Sequence, residues 1–219
     1  MGLIADSHVG EFLDALPAGV MDALDGCDLL LHAGDLSVPS VLDDLGALAP
    51  TFAVRGDHDR LDDLALPETL VATVAGRRIG LVHGTLGPIT DAAVVSAHVV
   101  AGRRLAYDGD LHARLLRRVG PVDCLVYGHW HEPRSAMVDA TLCVSPGAVC
   151  PRGTLAGGRA PRPGLAGMSD RGVRRFRRQL GAVAMQPTVA VLEVGTAGIR
   201  PRWITIPDAP DYRPLGRAD

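Results

Sequence analysis

The apolar positions of this chain form short continuous runs separated by stretches with helical spacing. Residues 1–5, 28–32 and 51–54 read as strands, the first short enough to deliver Asp6 almost at once. Between them, residues 11–25 carry Leu13, Leu16, Val20 and Leu24 at helical spacing, with Pro17 as a kink or break, and residues 38–48 suit a second helix. This alternation predicts βαβ units and an α/β sheet. Residues 68–82 read as a hairpin turning at Ala75-Gly76-Arg77, and 91–118 as two helices interrupted near Gly102 and Asp108-Gly109. A strand at 122–127 follows, then a hairpin at 135–144 closed by Ser145-Pro146-Gly147. Runs at 188–194 and 199–206 form a last hairpin turning at Gly195-Thr196-Ala197-Gly198. Residues 151–186 break the pattern: they are rich in Gly, Pro and Arg without a strand period, and within them 169–180 reads as a basic helix capped by Ser169 or Asp170.

Several of the strand-like runs end on Asp and His. In chain order the clusters are Asp6-x-His8, Gly34-Asp35, Gly56-Asp57-His58-Asp59, His83-Gly84 and Gly128-His129-Trp130-His131. Residues at several strand ends converge on one sheet edge, and a mixed Asp/His set suits Mn, Fe or Zn. Two such ions a few ångströms apart clamp a phosphate and generate a hydroxide between them. That arrangement needs one carboxylate able to bridge, for which Asp35 is placed by its position in the order. Asp6 and His8 reach one ion from one short loop, and His129 and His131 are spaced to reach different ions. Arg55 and Arg60 flank the central cluster as candidate phosphate contacts, although Arg55 equally suits a surface ion pair. His32, His98 and His112 fall outside the pattern and read as packing or surface residues.

Composition narrows the class. The chain has 219 residues, 47% hydrophobic and 21% charged, enough for a sizeable core in a globular protein. All 22 basic residues are arginine, and the net charge is −3. Residues 152–186 hold eight Arg against the single acid Asp170, so the remainder is acidic and extended nucleic-acid binding is disfavoured. The four cysteines form no C-x-x-C pair and read as free thiols. The absence of a leader-like or membrane-length apolar run predicts a cytoplasmic protein.

The ordered clusters resemble the calcineurin-like metallophosphoesterase superfamily, whose pattern is D-x-H, G-D, G-N-H-D/E, H and G-H-x-H. The short spacings, together with His32-Ala33-Gly34-Asp35 and Ser145-Pro146-Gly147-Ala148-Val149, are similar to its small single-domain bacterial and archaeal phosphodiesterase branch. The resemblance covers roughly 1–151 and the last hairpin. It implies a two-sheet α/β sandwich flanked by helices; by composition that domain spans 1–207 with an Arg/Gly/Pro-rich insertion at about 152–186, and the Pro- and Asp-rich stretch at 208–219 reads as a loose tail. It further implies two divalent ions, Mn foremost, with Fe, Zn or Ni as alternatives. Asp6, His8, Asp35 and His131 would hold one ion, and Asp35, Asp57, His83 and His129 the other. His58 would be the general acid, Asp59 would orient it, and a metal-bridging hydroxide would attack phosphorus in line. The expected function is hydrolysis of small phosphate esters, foremost diesters.

One position departs from the family pattern: Asp57 stands where Asn is usual. An additional carboxylate would hold the second ion more tightly and weaken its pull on an anionic substrate. Trp130 either shields the site or stacks on a base, shielding being preferred. The arginines of 152–186 form either a surface insertion or a lid that restores positive field. A nuclease and a non-catalytic scaffold, as in a retromer subunit of this fold, are the competing functions. The retained His58 and complete imidazole set rank the scaffold last. Apolar residues of the last hairpin leave pairing of two subunits open.

Overall fold

The computed structural model describes residues 1–59, 65–101, 108–150 and 186–207. Its strands are β1 (Gly2–Ile4), β2 (Leu30–His32), β3 (Thr51–Ala53), β4 (Thr69–Val74), β5 (Arg77–Val82), β6 (Cys124–Tyr127), β7 (Pro133–Val138), β8 (Thr141–Pro146), β9 (Thr188–Gly195) and β10 (Gly198–Thr205). Its helices are α1 (Ala18–Leu24), α2 (Ser40–Gly46), α3 (Pro88–Ala101) and α4 (Asp108–Val119). Two five-stranded sheets result, ordered β10-β9-β1-β2-β3 and β4-β5-β6-β8-β7. This is the expected two-sheet architecture with flanking helices.

The period-2 alternation of each strand explains the layering. Leu3 and Ala5 of the first run, and Leu31 and Ala33 of the second, face the space between the sheets with Ile79, Leu81, Val126 and Val144. Their neighbours Ile4 and Leu30 face the outer layer with Val20, Leu24, Val41 and Leu45 of α1 and α2. On the opposite face, Val82, Leu125 and Tyr127 pack with Leu111 and Leu115 of α4. Central strands buried on both faces read as continuous apolar runs, which is why β2, β5 and β6 were visible as such. The central pairs β1–β2, β2–β3, β5–β6 and β6–β8 are parallel, so their carboxyl ends share one edge within each sheet.

The first helix is shorter than its periodicity suggests. Pro17 occupies the position before α1, where its fixed φ and missing N–H start the helix. Residues 9–13 instead turn back: Glu11 and Phe12 both donate their backbone N–H to the His8 carbonyl. The cysteines are free, Cys27 half-buried and the other three buried. Among the described residues, no helix is long and apolar enough to cross a membrane. Arg60, the segment 151–185 and the tail 208–219, including the expected helix at 169–180, lie outside the described residues.

Candidate active site

The loops after β1, β2, β3, β5 and β6 meet at one edge. Asp6, His8, Asp35, His129 and His131 all have left-handed backbones, with φ of 52°, 50°, 60°, 69° and 52°. A non-glycine residue there costs roughly 1–2 kcal/mol, so the surrounding bonds must impose it. They do. Asp6 and His8 donate their N–H groups to the carbonyls of Gly34 and Asp35, each at 3.0 Å. The His129 N–H donates to the Asp6 carboxylate at 3.0 Å, which joins the two sheets across the site. The Asp59 carboxylate accepts N–H bonds from Asp35 (3.0 Å), Ser37 (2.8 Å) and Gly56 (2.8 Å). Packing here is close enough to require glycine at position 56, where a Cβ would collide with the Asp35 backbone and carboxylate. Gly34 is likewise required: its φ is +91° and a Cβ would lie 2.6 Å from His83 Nδ1.

This scaffold gathers the side chains. Asp35 Oδ2 lies 3.6 Å from His8 Nε2 and 3.3 Å from His83 Nε2, between two imidazoles from different sheets. Asp6 Oδ1 lies 3.3 Å from His131 Nε2, and His83 Nε2 lies 3.2 Å from His129 Nδ1. Ligand atoms of Asp6, His8 and His131 fall within 4.8 Å of one another, as do those of Asp35, His83 and His129. His58 joins His8 and Asp35 in a third such group, and Asp57 joins Asp91 and His129 in a fourth. Asp57 stands on the solvent side, 42% exposed, with Oδ2 3.4 Å from His129 Nδ1.

The electrostatics suit cations. Burial alone would raise the Asp6 carboxyl, yet the adjoining His131 imidazole holds it below the ordinary value. Burial acts the same way on Asp35, and the hydrogen bond and charge of His83 hold it well below the usual carboxylate range. His83 is pulled down by burial, but Asp35 beside it pushes it up to about 10. The carboxylates therefore stay ionised and demand positive charge around them.

The imidazoles are arranged as metal ligands would be. His8 Nε2 is buried without a hydrogen-bond partner and lies nearest Asp35, a donor atom that a divalent ion would satisfy. Each of three rings is held by its other nitrogen: His83 Nδ1 donates to the Ala33 carbonyl at 2.8 Å, and His8 Nδ1 to the Glu11 carboxylate at 3.1 Å. His129 Nε2 lies 3.3 Å from the Asp91 carboxylate. Such outer partners fix the tautomer and aim the free nitrogen inward.

Nothing in the sequence pattern marks the two outer carboxylates, Glu11 and Asp91. Glu11 sat inside the run read as helix, and Asp91 inside the long helical stretch. Asp91 is fixed in the first turn of α3 by Thr85 Oγ1 at 2.7 Å and the Leu86 N–H at 3.1 Å. Asp59, expected to orient His58, spends its carboxylate on three backbone N–H groups instead. The carboxylate on His58 Nδ1 is that of Glu11, at 2.9 Å. Arg55 donates to Glu68 at 2.8 Å, the surface ion pair that competed with phosphate contact. Trp130 is buried in the core beside His129, its Nε1 donating to the Gly84 carbonyl at 3.1 Å. It therefore shields the site and offers no face for a base. His32 is buried on Ser7 Oγ at 3.1 Å, and burial takes its pKa down to about 4.

Residues 1–160 match the calcineurin-like phosphoesterase superfamily domain. The chain belongs to that superfamily. A probable metallophosphoesterase of Methanothermobacter thermautotrophicus is 31% identical over 149 residues, covering 68% of this chain and 76% of that protein. Among solved structures, Entamoeba histolytica Vps29 complexed with zinc has a TM-score of 0.58 at 22% identity, covering 94% of this chain and 99% of that one. An archaeal phosphodiesterase has a TM-score of 0.54 at 18% identity, covering 93% and 98%. At these identities the structures share the fold alone. As a calcineurin-like phosphoesterase, the chain carries a donor set that suits the divalent metals this family uses.

Proposed function

We propose that this phosphoesterase binds two divalent ions, Mn²⁺ foremost, at the shared edge and hydrolyses small phosphate esters, diesters in particular. The observation that carries it is Asp35 Oδ2, which lies within 3.6 Å of His8 Nε2 and 3.3 Å of His83 Nε2 and so serves two ligand groups at once. Asp6, His8, His131 and Asp35 would hold one ion; Asp35, His83 and His129, with Asp57 at the solvent side, the other. When bound, the ions supply Lewis acidity and a nucleophile competent at neutral pH.

The chain's own groups do the rest. The buried carboxylates and imidazoles exclude bulk water from one side of the cluster, leaving approach from the side of Asp57 and His58. His58, 43% exposed, stands at that opening with its ring 4.6 Å from that of His8, edge to face. In this reading it gives a proton to the departing ester oxygen, and its exposure beside His8 supports that role. The 3.6 Å and 3.3 Å contacts of Asp35 support this reading by tying the two ligand groups to one carboxylate, beside which a phosphate would be received.

Elemental analysis of protein purified without chelators, paired with hydrolysis of bis-p-nitrophenyl phosphate in Mn²⁺, tests this. About two ions per chain and loss of turnover in His58→Ala are the expected result. One ion or none, with no turnover on mono- or diesters under any divalent ion, would replace the enzyme by a binding scaffold of the same fold. Activity restricted to oligonucleotides and falling steeply with salt would make it a nuclease.

A further inference from the structure

We infer that Glu11 is a positioning residue that ties a metal-ligating imidazole to the proton-donating one. The inference rests on the dinuclear phosphoesterase reading for its consequences, but its geometry stands on the fold alone. Glu11 Oε2 lies 3.1 Å from His8 Nδ1 and 2.8 Å from His58 Nδ1, and Oε1 lies 2.9 Å from His58 Nδ1. Ser37 Oγ donates to Oε2 at 3.4 Å, so the carboxylate is held from a third side. A carboxylate only accepts, so both imidazoles present Nδ1–H to it. Both Nε2 atoms are then turned away from Glu11. That of His8 faces Asp35 at 3.6 Å, and that of His58 is left for the approaching ester.

The chain reaches this geometry through a local choice. Glu11 donates its N–H to the His8 carbonyl at 3.2 Å, closing a tight turn immediately after the ligand. That turn ends before the helix begins at Ala18 and returns the side chain over the imidazole three residues back. The same carboxylate then reaches His58, 47 residues away. It takes the place that the family resemblance gave to Asp59, which is occupied with the backbone. Two consequences follow. A shift of His8 on metal binding would move Glu11 and with it His58, which would couple filling of the first subsite to placement of the donor. Substrates whose leaving group needs a proton should depend on Glu11 more than those that do not.

The test compares Glu11→Ala and Glu11→Gln in the full chain, with folding checked by circular dichroism. The direct readout is ¹H–¹⁵N imidazole spectra of the zinc-loaded protein, because zinc is diamagnetic. Wild type should show protected Nδ1–H signals for both His8 and His58. Glu11→Ala should lose both. Glu11→Gln, whose single carbonyl oxygen is a poorer acceptor for two rings, should keep no more than one. Metal affinity, read by competition with a chelator, should fall by about 10–100-fold at one of the two ions. The loss of kcat should be at least tenfold greater for an alkyl ester than for a p-nitrophenyl ester, with KM little changed. Unchanged His58 Nδ1–H protection in Glu11→Ala, or equal losses on both esters, would overturn the inference. If wild type binds no metal and cleaves nothing, the function fails, while the same spectra of the metal-free protein, in which Glu11 already meets both Nδ1 atoms, still decide the role of Glu11.

Discussion

The two halves of the site are built differently. Around Asp6 and His131 the side chains are almost sealed, 0% and 7% exposed, and His8 is 2% exposed. Around His129 and Asp57 they are open, 18% and 42% exposed. The sealed half is assembled from loops bonded to one another's backbone, and its electrostatics are little screened. The open half has surplus carboxylate in Asp57 and Asp91, but water competes with the exposed charge of Asp57, while His83 and Asp91 stay buried beneath it. Burial buys permanence at the first position, and exposure gives access at the second. The sealed half should therefore keep its ion longest under chelator, whatever the charge count favours.

The largest test of this contrast is at the residue both halves share. Asp35→Ala should empty both positions, taking elemental analysis from about two ions to near none and turnover down on the order of 10³-fold or more, the scale of several kcal/mol of lost stabilisation. Its backbone N–H and carbonyl would remain available to Asp59 and His8, so the fold should survive in circular dichroism. Next is His58→Ala, expected to cost about 10²–10⁴-fold in kcat with both ions retained. Loss of an ion there would make His58 a ligand and shift weight to the sealed half. Asp91→Ala should be smaller and one-sided: roughly 10–100-fold weaker binding at the open position, the sealed one unchanged, in a two-phase chelator titration. Equal weakening of both would erase the distinction between the halves. The smallest effect is expected from Asp57→Asn, within about 1 kcal/mol at an exposed position, read as a changed preference among Mn²⁺, Zn²⁺ and Ni²⁺ with activity maintained.

Much of this is legible in the amino-acid sequence. The strand runs delivering Asp6, Asp35, His83 and His129 were visible because parallel strands buried on both faces leave uninterrupted apolar stretches, and the motif order gave the edge on which they meet. The hairpins were visible because Ala75-Gly76 and the Gly195–Gly198 turn punctuate alternating runs. Glu11 and Asp91 were not, since their work depends on partners 47 and 38 positions distant and no spacing rule marks such a pair. Leu13 and Leu16 gave positions 11–16 a helical period, yet the bonds to the His8 carbonyl and the start imposed by Pro17 overrode it. The family resemblance gives Asp59 to His58, whereas the N–H groups of Asp35, Ser37 and Gly56 are the stronger claim on its charge.

The left-handed backbones at the site carry a different consequence, about evolvability. Each of the five positions favours glycine or asparagine by conformation and holds Asp or His by chemistry. Replacing His8 or His131 by glycine would relieve torsional strain of roughly 1 kcal/mol or more per position and delete a ligand in the same stroke. Selection for thermal robustness alone would thus drift this edge toward an inert, better-behaved loop. Asp and His held in those conformations mark an edge of this chain where chemistry overrides conformational preference.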